Sequence, residues 1–83
     1  MQITLKLYAS LGAFLPAGAD GNIATVEVPE GLSVLDLLDR YKVPREHCHL
    51  VLINGVFAAP VSRATKTLQA GDHVAAWPPV AGG

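Results

Sequence analysis

Ser33-Val34-Leu35-Asp36-Leu37-Leu38-Asp39-Arg40-Tyr41-Lys42-Val43-Pro44 is the stretch that decides the fold. Val34, Leu37, Leu38 and Tyr41 recur at helical spacing and form one apolar face, while Asp36, Asp39 and Arg40 point elsewhere. The Ser33 hydroxyl can accept an orphan backbone N–H at the helix start. Asp36 adds negative charge where the helix dipole is positive. Pro44 stops the helix, because it disfavours helical geometry in the preceding Val43.

Outward from that helix the chain reads as strands. Upstream, Ala24, Val26 and Val28 alternate with Thr25 and Glu27, and Pro29 and Gly31 end the run. At the start, Ile3, Leu5 and Leu7 alternate with Gln2, Thr4, Lys6 and Tyr8, the period of a half-buried strand. Between them, residues 9–23 dissolve into Gly, Ala and Pro. Asp20-Gly21-Asn22 marks a turn, and Leu11, Phe14 and Leu15 are available to seat a short helical turn on the domain.

Downstream, Leu50-Val51-Leu52-Ile53 is apolar on both faces, as expected of a central strand covered from two sides. Asn54-Gly55 is a strong hairpin signal, because both residues tolerate positive φ, and Val56-Phe57-Ala58 forms the short return. Thr67 to Asp72 reads as a turn into the last strand, His73 to Trp77. The order strand, strand, helix, strand, short strand, strand predicts an α+β domain with a mixed sheet of about four to five strands on one main helix. A β-grasp, ubiquitin-like fold fits: an N-terminal hairpin, a right-handed helical crossover, and a last strand parallel to the first. Residues 1–77 make this single domain, and 78–83 are its tail.

Eighty-three residues leave no room for a second core. Residues of apolar type make up 51% of the chain, more than so small a domain can hide. Part of that excess is Ala-rich core, and part is expected on a surface that meets a partner. Phe57, Leu68 and Trp77, near strand ends or turns, are the candidate contacts. The net charge of −1 with scattered Lys and Arg gives no basic stripe for nucleic acid. No apolar run is long enough to cross a bilayer, and the alternating start lacks signal-peptide organisation. The single cysteine, Cys48, excludes an internal disulfide framework, so a cytoplasmic protein is expected.

Conventional catalytic sets are weak. In His47-Cys48-His49 neighbouring side chains on an extended chain diverge, and only His73 remains as a further ligand, so a polar loop is expected rather than a metal site. No base and orienting group can be assembled around the thiol, and no phosphate-binding glycine loop exists. The chain has no free-standing active site.

The C-terminus differs. Pro78 and Pro79 fix φ and remove two ladder donors, so they cannot continue a sheet. Val80, Ala81, Gly82 and Gly83 follow with no charge and little bulk. Extended, residues 78–83 span roughly 20 Å, enough to enter a partner's active site, and glycines without Cβ suit a narrow channel. The group delivered is the Gly83 carboxylate.

The whole chain resembles the MoaD/ThiS sulfur carriers, in particular the small subunit of molybdopterin synthase. The likeness runs from Ile3-Thr4-Leu5-Lys6-Leu7-Tyr8-Ala9 through Asn54-Gly55 and Ala70-Gly71-Asp72, and is most specific at Trp77-Pro78-Pro79-Val80-Ala81-Gly82-Gly83. The resemblance implies that a ubiquitin-activating-type adenylating enzyme uses ATP to adenylate Gly83. A persulfide donor then converts it to a thiocarboxylate. The tail, with Gly82 fitting the channel, enters the large synthase subunit and gives sulfur to a pterin precursor of molybdenum cofactor. Pro78, Pro79, Val80 and Ala81 would contact that partner, and the carrier itself would bind no cofactor or metal. Residues 9–23 depart from the charged helical stretch common in the family, which bears on the partner more than on the fold. Three other readings share the same fold: a protein modifier conjugated through Gly83, a sulfur carrier for thiamine or tRNA thiolation, and an interaction domain with an inert tail.

Overall fold

The computed structural model describes residues 1–79. Strands β1 (Gln2–Leu7), β2 (Ile23–Glu27), β3 (Leu50–Ile53), β4 (Val56–Phe57) and β5 (His73–Trp77) form one mixed sheet in the order β2-β1-β5-β3-β4. Helix α1 (Val34–Arg40) crosses one face of it. β1 pairs antiparallel with β2, from Gln2 opposite Glu27 to Lys6 opposite Ile23. β5 runs parallel to β1, with Leu5 opposite Val74, and antiparallel to β3, with Val51 opposite Ala76. This is the β-grasp, ubiquitin-like architecture.

The alternation in β1 is obeyed in full: Ile3, Leu5 and Leu7 are completely buried, and Val26 and Ala24 face the same way from β2. Val34, Leu37 and Leu38 of α1 press onto this face together with Val51, Val74 and Ala76. Ser33 caps the helix, its Oγ accepting from the Asp36 N–H at 3.0 Å while the Asp36 carboxylate accepts from the Ser33 N–H at 3.4 Å. Two further donors at that end are met from outside the helix. Val34 N–H donates to the Lys66 carbonyl at 3.0 Å and Leu35 N–H to the Arg63 carbonyl at 2.9 Å. A helix of only 7 residues is therefore held by capping and packing, because isolated helices of that length are unstable in water.

Residues Ala9–Phe14 form a 3-10 helix whose Leu11 is fully buried, with Phe14 and Leu15 partly covered against the core. Asn54 (φ 50°) and Gly55 (φ 83°) make the hairpin turn between β3 and β4. The expectation that β3 is a central strand covered on two sides needs correction. β5 is the middle strand and β3 lies one in from an edge, so only Val51 and Ile53 are buried, while Leu50 and Leu52 lie half-exposed on the open face. An apolar-on-both-faces run gives no signal to tell a sheet's middle from a partly uncovered face. No helix among the described residues is long and apolar enough to cross a membrane.

Candidate functional site

The C-terminal end of β5 is fixed on both sides. Tyr8 N–H donates to the Ala76 carbonyl at 3.1 Å from the β1 side. His49 N–H donates to the Trp77 carbonyl at 3.0 Å from the β3 side, the last ladder bond before the prolines. Trp77 is half-buried and its indole stacks on the Tyr8 ring, with centroids 4.6 Å apart and planes 10° from parallel. Such stacking adds about 0.5–1.5 kcal/mol beyond area burial and fixes the indole's orientation. Pro78 is half-buried and Pro79 exposed, so the chain reaches solvent within two residues of the sheet's middle strand. Val80, Ala81, Gly82 and Gly83 lie outside the described residues.

Beside this exit the open sheet face is apolar. Leu50 pairs opposite Trp77; Leu52 has Ala75 on one side and Phe57 on the other. Phe57, at 56% exposure, ends the row at the β4 edge, with Val56 exposed beside it. Leu50, Leu52, Phe57, Tyr8 and Trp77 thus make one strip running from the tail exit across the sheet. Sequence reasoning singled out Phe57 and Trp77 but missed Tyr8, Leu50 and Leu52, whose common face depends on register.

Leu68 is a correction. It is 2% exposed, its N–H donating to the Leu32 carbonyl at 2.9 Å, so it belongs to the core and offers a partner no surface. Its flanking turn residues are exposed, which is what the sequence registers.

The His47-Cys48-His49 segment does not converge. His47 and His49 are exposed, and Arg45–His47 form a 3-10 turn. Among the described residues no three His, Cys, Asp or Glu side chains could share a metal ion. The segment leads into β3 as the expected loop, but Cys48 within it is buried. At 6% exposure it belongs to the core, and its Sγ donates to the Pro44 carbonyl at 3.5 Å. Burial pushes the thiol pKa up, opposed by the Arg63 charge, which disfavours the nucleophilic thiolate. Cys48→Ser keeps that hydrogen bond but buries a more polar group. It is expected to lower stability by about 1 kcal/mol. Thermal melts of the two proteins measure this.

Arg63 was invisible to sequence reasoning. Only 5% exposed, it donates from Nε to the Ala58 carbonyl at 3.0 Å, from Nη1 to Cys48 at 2.8 Å and from Nη2 to His49 at 3.4 Å. It ties the segment after β4 to the start of β3. At the other end of β5, the Asp72 carboxylate accepts from Gln69 N–H at 2.8 Å and Asn54 Nδ2 at 2.9 Å, which holds its pKa below the usual range. Those groups border a cavity of about 360 Å³ that also takes in Val56, Phe57 and Lys66. It lies away from the tail exit, on the hairpin side of the sheet.

No curated protein matches the sequence at a significant level. Solved structures do. SAMP1 from Haloferax volcanii is 28% identical with a TM-score of 0.69, covering 100% of both chains. The thiamine biosynthesis protein ThiS from Geobacter metallireducens is 26% identical with a TM-score of 0.68, again over 100% of both chains. Subunits 1 and 2 of molybdopterin-converting factor from Helicobacter pylori 26695 have been solved as a protein–protein complex. The matching chain of that complex is 16% identical with a TM-score of 0.58 over 100% of both chains, a likeness of fold alone. The sequence pattern of the ThiS family matches residues 18–83, from the end of the first loop through the terminal glycines. That match spans most of the chain, and on it the protein belongs to the ThiS family of ubiquitin-like sulfur carriers.

Proposed function

We propose that the chain carries sulfur as a thiocarboxylate on Gly83 and delivers it in molybdopterin biosynthesis. The supporting observation is the launch of a Pro78-Pro79-Val80-Ala81-Gly82-Gly83 tail from the middle strand of the sheet, with ladder bonds holding that strand up to Trp77. A rigid base followed by a segment with little side-chain bulk is what insertion into a partner's channel requires.

The chemistry needs a leaving group, because a carboxylate is a poor electrophile. An adenylating enzyme of ubiquitin-activating type transfers AMP from ATP to the Gly83 carboxylate and releases pyrophosphate. The terminal sulfur of a persulfide attacks the acyl carbon and AMP departs. A thiol then attacks the donor's cysteine sulfur in the resulting acyl disulfide, which forms a disulfide with the donor and frees the thiocarboxylate. The large subunit of molybdopterin synthase is the acceptor partner in this reading. The paired prolines favour it over a thiamine pathway, and the complex of subunits 1 and 2 in Helicobacter pylori shows this fold assembling with a second subunit.

The strip from Tyr8 and Trp77 to Phe57 is the surface for these partners, since exposed aromatic and aliphatic side chains next to the tail would be covered when it inserts. Phe57→Ala is expected to weaken binding of the large subunit or activating enzyme by about tenfold to a hundredfold. Because Phe57 is half out of the protein, the melting temperature should fall only slightly. Titration calorimetry beside thermal melts checks this, and a collapsed melt with normal binding by the folded fraction would return Phe57 to the core.

A second reading has a specific support: the 28% identity to SAMP1, a small archaeal modifier protein. Conjugation to lysines needs the same activated Gly83. Mass spectrometry of the protein and its native proteome separates the two. Sulfur replacing oxygen at the C-terminus supports the carrier, an isopeptide remnant on other proteins supports the modifier, and finding neither rejects both.

A further inference from the structure

Arg63 carries a buried charge that no acid among the described residues answers. The ion pairs among the described residues are the Met1 ammonium with Glu27 and Arg45 with Asp39, and neither involves Arg63. Its three acceptors are backbone carbonyls, which offer dipoles but no net negative charge. A guanidinium has more N–H donors than three such bonds occupy, and a buried ion without a counter-charge is unfavourable. Burial accordingly pulls the Arg63 pKa down.

This side chain lines a cleft of about 200 Å³ together with Leu35, Leu38, Arg45, Cys48 and Pro60. The space is several times the roughly 30 Å³ share of one water molecule. Its walls are largely apolar, and a low local dielectric strengthens any charge interaction inside. Arg45 sits exposed at the same cleft, its Nη2 2.7 Å from Asp39 Oδ2 and its Nε 3.3 Å from Oδ1, which leaves Nη1 free to turn to another acceptor. Asp36, Asp39 and Glu46 are the carboxylates acting on this region. Arg45 answers Asp39, the Asp36 carboxylate accepts from the Ser33 N–H, and Glu46 is exposed to solvent, so among the described residues Arg63 has no ion-pair partner.

We propose that this cleft binds a small tetrahedral oxyanion, phosphate or sulfate, held by Arg63 from within and by Arg45 at the mouth. Planar guanidinium forks match such an anion's paired oxygens, and the anion supplies the charge that the three carbonyls lack. The site is lined on one side by Leu35 and Leu38 of α1, and the inference does not depend on what Gly83 carries. The oxyanion arrives either as the free inorganic ion or as the phosphoryl group of a nucleotide.

The test is a titration of the ¹⁵N-labelled full chain with sodium phosphate, sodium sulfate and AMP in turn, followed by amide and Arg63 Nε shifts. Sodium chloride at matched ionic strength is the control. Saturable shifts at Leu35, Leu38, Cys48 and Arg63, with a rise in melting temperature, are expected for phosphate and sulfate. Arg45→Gln, an exposed substitution that spares the Arg63 hydrogen bonds, should weaken phosphate binding by about tenfold, as losing one charge-assisted contact implies. AMP saturating the same amides more tightly than phosphate supports the site with a nucleotide source. Phosphate binding without AMP binding supports it with the free ion. Shifts that do not saturate, shifts reproduced by chloride, or unchanged affinity in Arg45→Gln would overturn the proposal.

Discussion

Deleting Gly83 is expected to abolish ATP-dependent loading of the protein while leaving its melting temperature where it was. The last backbone ladder bond among the described residues is His49 N–H to the Trp77 carbonyl, and the two prolines beyond it have no N–H to add another. Four residues then separate Pro79 from the carboxylate, so its removal touches no core contact described above. Reactivity is another matter. Shortening by one residue withdraws the carboxylate about 3.5 Å from the partner's nucleotide, and displacements of about 1 Å already cost a hundredfold in rate. Adding one residue after Gly83 should be as damaging. Gly82→Val should also block loading, because a β-branched side chain widens the segment and restricts its backbone. Each variant is assayed for adenylate formation with the host's activating enzyme, beside partner binding, which should survive. Wild-type loading by the Gly83 deletion would falsify the sulfur-carrier reading.

Arg63→Ala should do the reverse, lowering stability severely without touching the tail. It removes three hydrogen bonds and leaves buried carbonyls of Ala58 and Cys48 without their donors. An orphaned buried acceptor costs about 1–3 kcal/mol, so a loss of roughly 3 kcal/mol is expected after relaxation. A domain of this size loses about 4–8 °C in Tm per kcal/mol. The melt should therefore fall by about 12–24 °C. Arg63→Lys restores the charge but not the fork and should recover only part of that loss. Chemical denaturation of the three proteins checks the order, and an Arg63→Ala melt within a few degrees of wild type, about 4 °C, would show that water replaces the guanidinium.

Local order was legible wherever one residue's neighbours in sequence decide its conformation. The β1 alternation, the Ser33 N-cap, the Asn54-Gly55 turn and the 73–77 strand all follow from spacings of a few residues, and all stand in the structure. What failed depends on contacts across the chain. Leu68 reads as turn because its neighbours are exposed, yet a bond to Leu32 draws it inward. Cys48 reads as polar loop between two histidines, yet a 3-10 turn at Arg45–His47 delivers it to the core. An arginine bonded to carbonyls 5, 14 and 15 residues away leaves no periodic trace at all. The apolar strip was half-legible: Phe57 and Trp77 stand out by type, whereas Tyr8, Leu50 and Leu52 join them only once β1, β3, β4 and β5 are in register.

The parallel pairing of β1 with β5 also has a mechanical meaning. Residue 1 precedes β1 directly, and the tail leaves β5 at its far end, so tension applied between the two chain ends acts along these neighbouring strands in opposite directions. The hydrogen bonds between them lie across that pull and resist it together, as a lap joint resists shear, instead of opening one after another like a zipper. β3 clamps the other side of β5 with its own ladder. A pull on the tail thus loads these two ladders in shear instead of peeling β5 from its end.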